Sequence, residues 1–177
     1  DKDQATLIRG FALALPELPP GSLLVIMGSG PLEQNLKTLV SELKIDDHVI
    51  FTGQIANGRR YFRAFDVFAL TSDNEPFGMV LLEAMAAGLP IISSDSGGAT
   101  EVVRDYGDTF ELGNPNALSG VLQNLVQASQ LSESSKADQL LHARFSDEAV
   151  ALSFFELDMV RQCLKDSDQF VVHDGKK

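Results

Sequence analysis

The feature that constrains this chain most is a phrase that recurs along it: a short continuous apolar run, a glycine or other turn former, then a segment with helical spacing. Residues 23–27 enter Gly28 and precede a helical pattern over 31–43, with Pro31 at the expected first helical position. Residues 49–52 enter Gly53, 67–71 lead into SDNEPFG, 89–93 lead to Gly97-Gly98, and a weaker run covers 109–112. Helical patterns over 57–64, 79–87, 99–104 and 115–127 fill the intervals. A strand with one buried face alternates apolar and polar residues, whereas a strand apolar throughout needs cover on both faces. A parallel sheet between two helical layers supplies that cover. The expected fold class is α/β, a doubly wound parallel sheet of Rossmann-like type.

The flanks are helical too. Residues 4–15 carry Leu7, Ile8, Phe11 and Leu15 at helical spacing, and the Pro- and Gly-rich stretch 16–21 stops them. Patterns over 131–143 and 145–165 predict two further helices, the second capped by Ser146, before a polar tail. With 177 residues and 44% apolar content the chain supports one substantial core. The expected organisation is one domain over 1–166 and a tail over 167–177.

A net charge of -11 argues against a nucleic-acid partner or an anionic membrane surface, since both are bound through clustered Lys and Arg. Cys163 is the sole cysteine, so no internal disulfide forms and a reducing compartment fits. No apolar run is long enough for a bilayer span, and no membrane contact is indicated in this part of the molecule. The chain opens on Asp1-Lys2-Asp3 without Met and enters a helix directly, which suggests a piece of a longer parent whose sheet has a strand upstream. The expected location is the cytoplasm, with any contact to the inner face of the membrane made through the missing part.

Ligands of open α/β sheets bind outside the carboxyl ends of the strands, so the loops after Met27, Thr52, Thr71 and Ser93 are the places to look. Gly28-Ser-Gly30-Pro-Leu-Glu33 begins like a dinucleotide fingerprint, but Glu33 stands where the third glycine would be. That substitution counts against a nicotinamide cofactor, and no Gly-Lys-Ser/Thr follows to make a phosphate loop. The loop is either a plain tight turn or a ligand contact.

The segment EPFGMVLLE is more informative. Pro76 suits a first helical turn and Gly78 permits close approach of a ligand to the backbone. The amides of Gly78, Met79 and Val80, at the positive end of a helix dipole, would form a seat for a diphosphate. Glu75 and Glu83 flank that seat rather than facing each other. They read as acceptors for sugar hydroxyls, or as acids placed near a helix start by the dipole alone. His48, His142 and His173 are scattered without carboxylates at ligand spacing, so no metal site is expected. Arg59, Arg60 and Arg63 form a basic cluster that reads as a solvated face, or as a contact to an acceptor or partner domain.

The run EPFGMVLLEAMAAGLP from Glu75 to Pro90 resembles the E-x7-E signature of retaining GT-B glycosyltransferases of the glycogen synthase and α-mannosyltransferase type, family 4. Further blocks agree in order: VIMGSGP from Val25, VIFTG from Val49, DVFALTS from Asp66 and GGATE from Gly97. The likeness extends from Lys2 to about Lys165. It implies the C-terminal, donor-binding half of such an enzyme, completed by an N-terminal domain of the same parent chain. The donor would be a UDP- or GDP-linked sugar, with no further cofactor and no metal.

By this resemblance Glu75 would contact donor sugar hydroxyls and Glu83 the nucleotide ribose. Phe77, Gly78, Met79 and Val80 would hold sugar and diphosphate through their amides, and Lys2 would serve the diphosphate. Gly53, Gln54 and Ile55 would face the base. A partner arginine of Lys2 belongs upstream of this chain. Thr71 stands where many relatives have Pro, and 105–110 is a less glycine-rich loop than usual. The final helix, with Phe154, Phe155 and Leu157, resembles the element that crosses back to the N-terminal domain. A module that binds nucleotide sugar or a partner without catalysis would share these features.

Overall fold

The computed structural model describes residues 2–73, 75 and 78–127, all within one unit of the chain. Pro76 and Phe77, the segments 131–143 and 145–165 expected to be helical, Cys163, His142, His173 and the expected tail lie outside the described residues. Five helices and five strands, with connecting 3₁₀ turns, follow one another in the expected alternation among them: α1 (Gln4–Ala14), β1 (Leu24–Met27), α2 (Glu33–Glu42), β2 (Val49–Gly53), β3 (Phe68–Leu70), α3 (Met79–Ala86), β4 (Ile91–Ser94), α4 (Ala99–Val103), β5 (Asp108–Phe110) and α5 (Pro115–Gln127).

Every pairing between these strands is parallel. β1 pairs with β2, Leu24 opposite Val49, and β4 lies between β3 and β5, with Phe68 opposite Ile91 and Ile92 opposite Asp108. The sheet is thus in two pieces among the described residues, ordered β1-β2 and β3-β4-β5. In the common doubly wound order 3-2-1-4-5-6 the first strand separates two such flanks. β1-β2 and β3-β4-β5 match those flanks, and β1 and β3 each have one edge without a partner among the described strands.

The core follows from the apolar pattern. Ile8 and Phe11 of α1 meet Leu36, Leu39 and Val40 of α2 over β1 and β2. Leu118 and Leu125 of α5 meet Ile92 and Phe110 over β4 and β5. All of β4 is buried, as a central strand of a covered parallel sheet requires. α1 packs on α5 closely enough that a Cβ at Gly10 would lie 2.7 Å from the Leu118 side chain.

Several element limits shift by one or two residues, β4 running over Ile91–Ser94 where 89–93 is expected, and two differences bear on the site. α2 begins at Glu33, because Gly30 O accepts the Glu33 N–H at 3.1 Å and closes a turn that holds Pro31 outside the helix. The helix expected over 57–64 is a 3₁₀ helix, Gly58–Ala64, entered through Asn57 at φ 56. Arg59, Arg60 and Arg63 of this turn line a cavity together with Glu83 and Ala86 of α3.

Candidate functional site

The site is assembled where β3 and β4 end. Ser72, just beyond β3, has its carbonyl oxygen bound by two hydroxyls, those of Ser94 and Ser96, each at 2.6 Å. Three residues on, the Glu75 carbonyl accepts the Gly98 N–H at 3.0 Å. The loop after β3 is therefore held by the loop after β4. Gly97 makes this possible: its φ is +61, and a Cβ there would lie 2.7 Å from Glu75 O.

With its backbone held, the Glu75 side chain reaches two donors. Lys2 Nζ lies 2.7 Å from Oε2, and the Gly78 N–H donates to Oε1 at 3.2 Å. Lys2 is itself fixed from behind, since the buried Thr71 hydroxyl donates to the Lys2 carbonyl at 2.8 Å. The ammonium hydrogen-bonded to Glu75 holds its carboxyl below the ordinary value; partial burial opposes this, and the Lys2 charge and Gly78 N–H add to it.

Gly78 caps α3 at φ 72, and its carbonyl accepts the Leu81 N–H at 2.7 Å. The next N–H groups, of Met79 and Val80, have no acceptor among the described residues, as the first turn of a helix requires unless something binds there. Met79 is 62% exposed at this helix start. Of the amides expected to form a seat, Gly78, Met79 and Val80, the Gly78 N–H donates here to Glu75, which lies close enough in the chain to fold back over it.

Glu83, one turn into α3, is half-exposed and opens onto a shallow cavity of about 430 Å³ lined by Arg59, Arg60, Arg63, Ala86 and Ala87 as well. Arg59 Nη1 stands 3.9 Å from Glu83 Oε1. The two glutamates therefore face different cations, as their positions on either side of a helix start dictate. Arg59 is well exposed, so the cluster keeps a solvated face while one of its members stands near Glu83. Three arginines on one short turn after Gly53 were the available signal.

Gly53 ends β2, and Gln54 and Ile55 lie beyond its carboxyl end. Gly53, at φ +65, accepts the Gly28 N–H at 2.9 Å, which ties the two glycine turns together. Gln54 and Ile55 are exposed. Among the described residues this loop makes no hydrogen bond to Lys2, Glu75 or Gly78. Phe77 lies outside the described residues. No group of His, Cys, Asp or Glu among the described residues is placed to hold a metal ion, and no described helix is long and apolar enough to cross a membrane. Ser94, Ser96, Gly97 and Thr71 escaped the sequence reading as parts of the site, since each acts through a main-chain contact to a residue far along the chain.

Residues 1–139 match the family model described as glycosyl transferases group 1. N-acetyl-alpha-D-glucosaminyl L-malate synthase of Bacillus anthracis is 34% identical over 143 residues, covering 81% of this chain and 35% of that protein. The lipopolysaccharide core biosynthesis glycosyltransferase LpsE of Rhizobium meliloti is 30% identical over 142 residues, covering 78% of this chain and 42% of its own length. The crystal structure of Anabaena Alr3699/HepE in complex with UDP-glucose superposes with a TM-score of 0.73 at 25% identity, over 96% of this chain and 46% of that one. The chain spans less than half the length of these relatives. It belongs to the glycosyl transferases group 1 family and has the Rossmann-like fold of a C-terminal GT-B glycosyltransferase domain.

Proposed function

We infer that this chain is the donor-binding half of a retaining glycosyltransferase that moves a sugar from a nucleoside diphosphate to a hydroxyl of a glycan, lipid or small-molecule acceptor. The observation that carries the reading is the convergence of Lys2 and the start of α3 on one point, occupied by the Glu75 carboxylate. A cation and a helix-end amide that hold a carboxylate in this way, with two further amides open beside them, are suited to the diphosphate of a donor. When the bond between the anomeric carbon and the diphosphate breaks, negative charge grows on the leaving phosphate. Fixed donors at that place stabilise it more than they stabilise the intact donor.

In this reading Lys2, Phe77, Met79, Val80 and, once released, Gly78 hold the sugar and diphosphate. Glu75 accepts hydrogen bonds from the sugar and Glu83 from the ribose, while Gly53, Gln54 and Ile55 border the base. The donor is UDP- or GDP-linked and the reaction uses no metal. The N-terminal GT-B domain of the parent supplies the acceptor site, and its connection to this half supplies the strand between β1 and β3. Without that domain the chain binds nucleotide and does not transfer sugar.

Titration of the intact protein with UDP and GDP, followed by NMR of the product's anomeric proton, tests the reading. Binding of one nucleotide and a product with the donor's anomeric configuration support it. Failure to bind either nucleotide, or an inverted product, refutes it.

A further inference from the structure

We propose that Asp3 is a positioning residue for the donor site: on the donor-binding reading above, its left-handed backbone is the joint that delivers Lys2 to the diphosphate. Among the described residues only Asp3, Lys44 and Asn57 have a positive φ without being glycine. Lys44 follows the end of α2, where that conformation is common, and Asn57 opens the 3₁₀ helix. Asp3, at φ 42 and ψ 47, stands directly between Lys2 and the start of α1. Left-handed backbone is costly for an L residue, and Asp and Asn are among the few with a side chain that tolerate it.

Both sides of Asp3 are held. On one side Ile8 and Phe11 fix α1 in the core, and the Asp3 carbonyl accepts the Thr6 N–H at 3.1 Å, which ties the peptide plane after Asp3 to the helix start. On the other side Lys2 is pinned twice, its carbonyl by the buried Thr71 hydroxyl at 2.8 Å and its ammonium by Glu75 Oε2 at 2.7 Å. The peptide plane before Asp3 is thus oriented by Thr71 and the plane after it by α1, and φ of Asp3 connects the two. An ordinary helical φ of about −60° would turn Lys2 by roughly 100° about that bond and carry its carbonyl away from Thr71. The Asp3 side chain has a second task, since Oδ1 accepts the Thr6 N–H at 3.3 Å and caps α1. The two tasks have different requirements: the cap needs a side-chain oxygen, and delivery of Lys2 needs a residue at ease with positive φ.

Calorimetric titration of the intact protein with UDP and GDP separates the two tasks. Asp3→Asn keeps both the capping oxygen and the tolerance of positive φ, Asp3→Gly keeps the tolerance alone, and Asp3→Ser keeps the cap alone. Expected is wild-type nucleotide affinity in Asp3→Asn and Asp3→Gly, and an affinity about three- to tenfold weaker in Asp3→Ser, whose strained φ relaxes and frees Lys2. Urea unfolding of each variant shows that it is folded under the conditions of the titration. Wild-type affinity in folded Asp3→Ser, or an affinity that follows the cap and falls in Asp3→Gly as far as in Asp3→Ser, would overturn the proposal and leave the donor-binding reading intact. Absence of binding of either nucleotide by wild type would overturn both.

Discussion

A Cβ at Gly97 would lie 2.7 Å from the carbonyl oxygen of Glu75, so a side chain at one position and the placement of the other are mutually exclusive. Gly97 also sits at φ +61, where an L side chain is strained. Gly97→Ala should lower stability by about 1–3 kcal/mol and push Glu75 from Lys2. Urea unfolding and nucleotide titration of the same variant check both effects.

Thr71→Val removes the hydroxyl that holds the Lys2 carbonyl and keeps the shape of a buried side chain. A loss of about 1 kcal/mol in stability is expected, with weaker diphosphate binding because Lys2 is no longer fixed. A variant with undiminished affinity would show that Lys2 needs no such support.

The pair of Lys2 and Glu75 carries a signed dependence on pH. The Glu75 carboxyl is held below its ordinary value in the folded state, so its contribution to stability is fully present above the unfolded value near 4.5 and is lost as pH falls through the lower folded one. Lys2→Met should therefore destabilise the protein at neutral pH, and the gap to wild type should close in acid. Because Lys2 is more than half exposed, the effect at neutral pH is expected to be below about 1 kcal/mol. Thermal melts of the two proteins across that range check it.

Arg59 is exposed, Glu83 is half-exposed, and the two stand 3.9 Å apart. Arg59→Ala should change stability by less than about 0.5 kcal/mol, the scale of an exposed pair. A much larger loss in a urea titration would mean that the cavity contacts are structural.

The sheet-and-helix order was legible because continuous apolar runs such as 89–93 have one economical use, a strand covered on both faces, and β4 is buried throughout. Helix edges were less so: Pro31 suits a first helical position, yet the competing turn from Gly30 O to the Glu33 N–H starts α2 later. The separation into two sheet pieces depends on pairing between strands, which local patterns do not encode. In the site, Lys2, Glu75 and Gly78 were named from the sequence and are brought together. The hydroxyls of Ser94 and Ser96 on Ser72 O, and of Thr71 on Lys2 O, were not legible, since a serine or threonine after a strand gives no sign of which distant carbonyl it will meet. The occupation of the Gly78 N–H by Glu75 depends likewise on a side-chain torsion that no spacing fixes.

The central claim is that the start of α3 and the carboxylate one turn into it receive a nucleoside diphosphate. Calorimetry of the intact protein with UDP and GDP, wild type beside Glu83→Ala, tests it most directly. The account predicts measurable binding of one nucleotide by wild type and an affinity at least about tenfold weaker in the variant, from the loss of a charged hydrogen-bond acceptor for the ribose. Equal affinity in the two proteins, or binding of neither nucleotide by wild type, would contradict it.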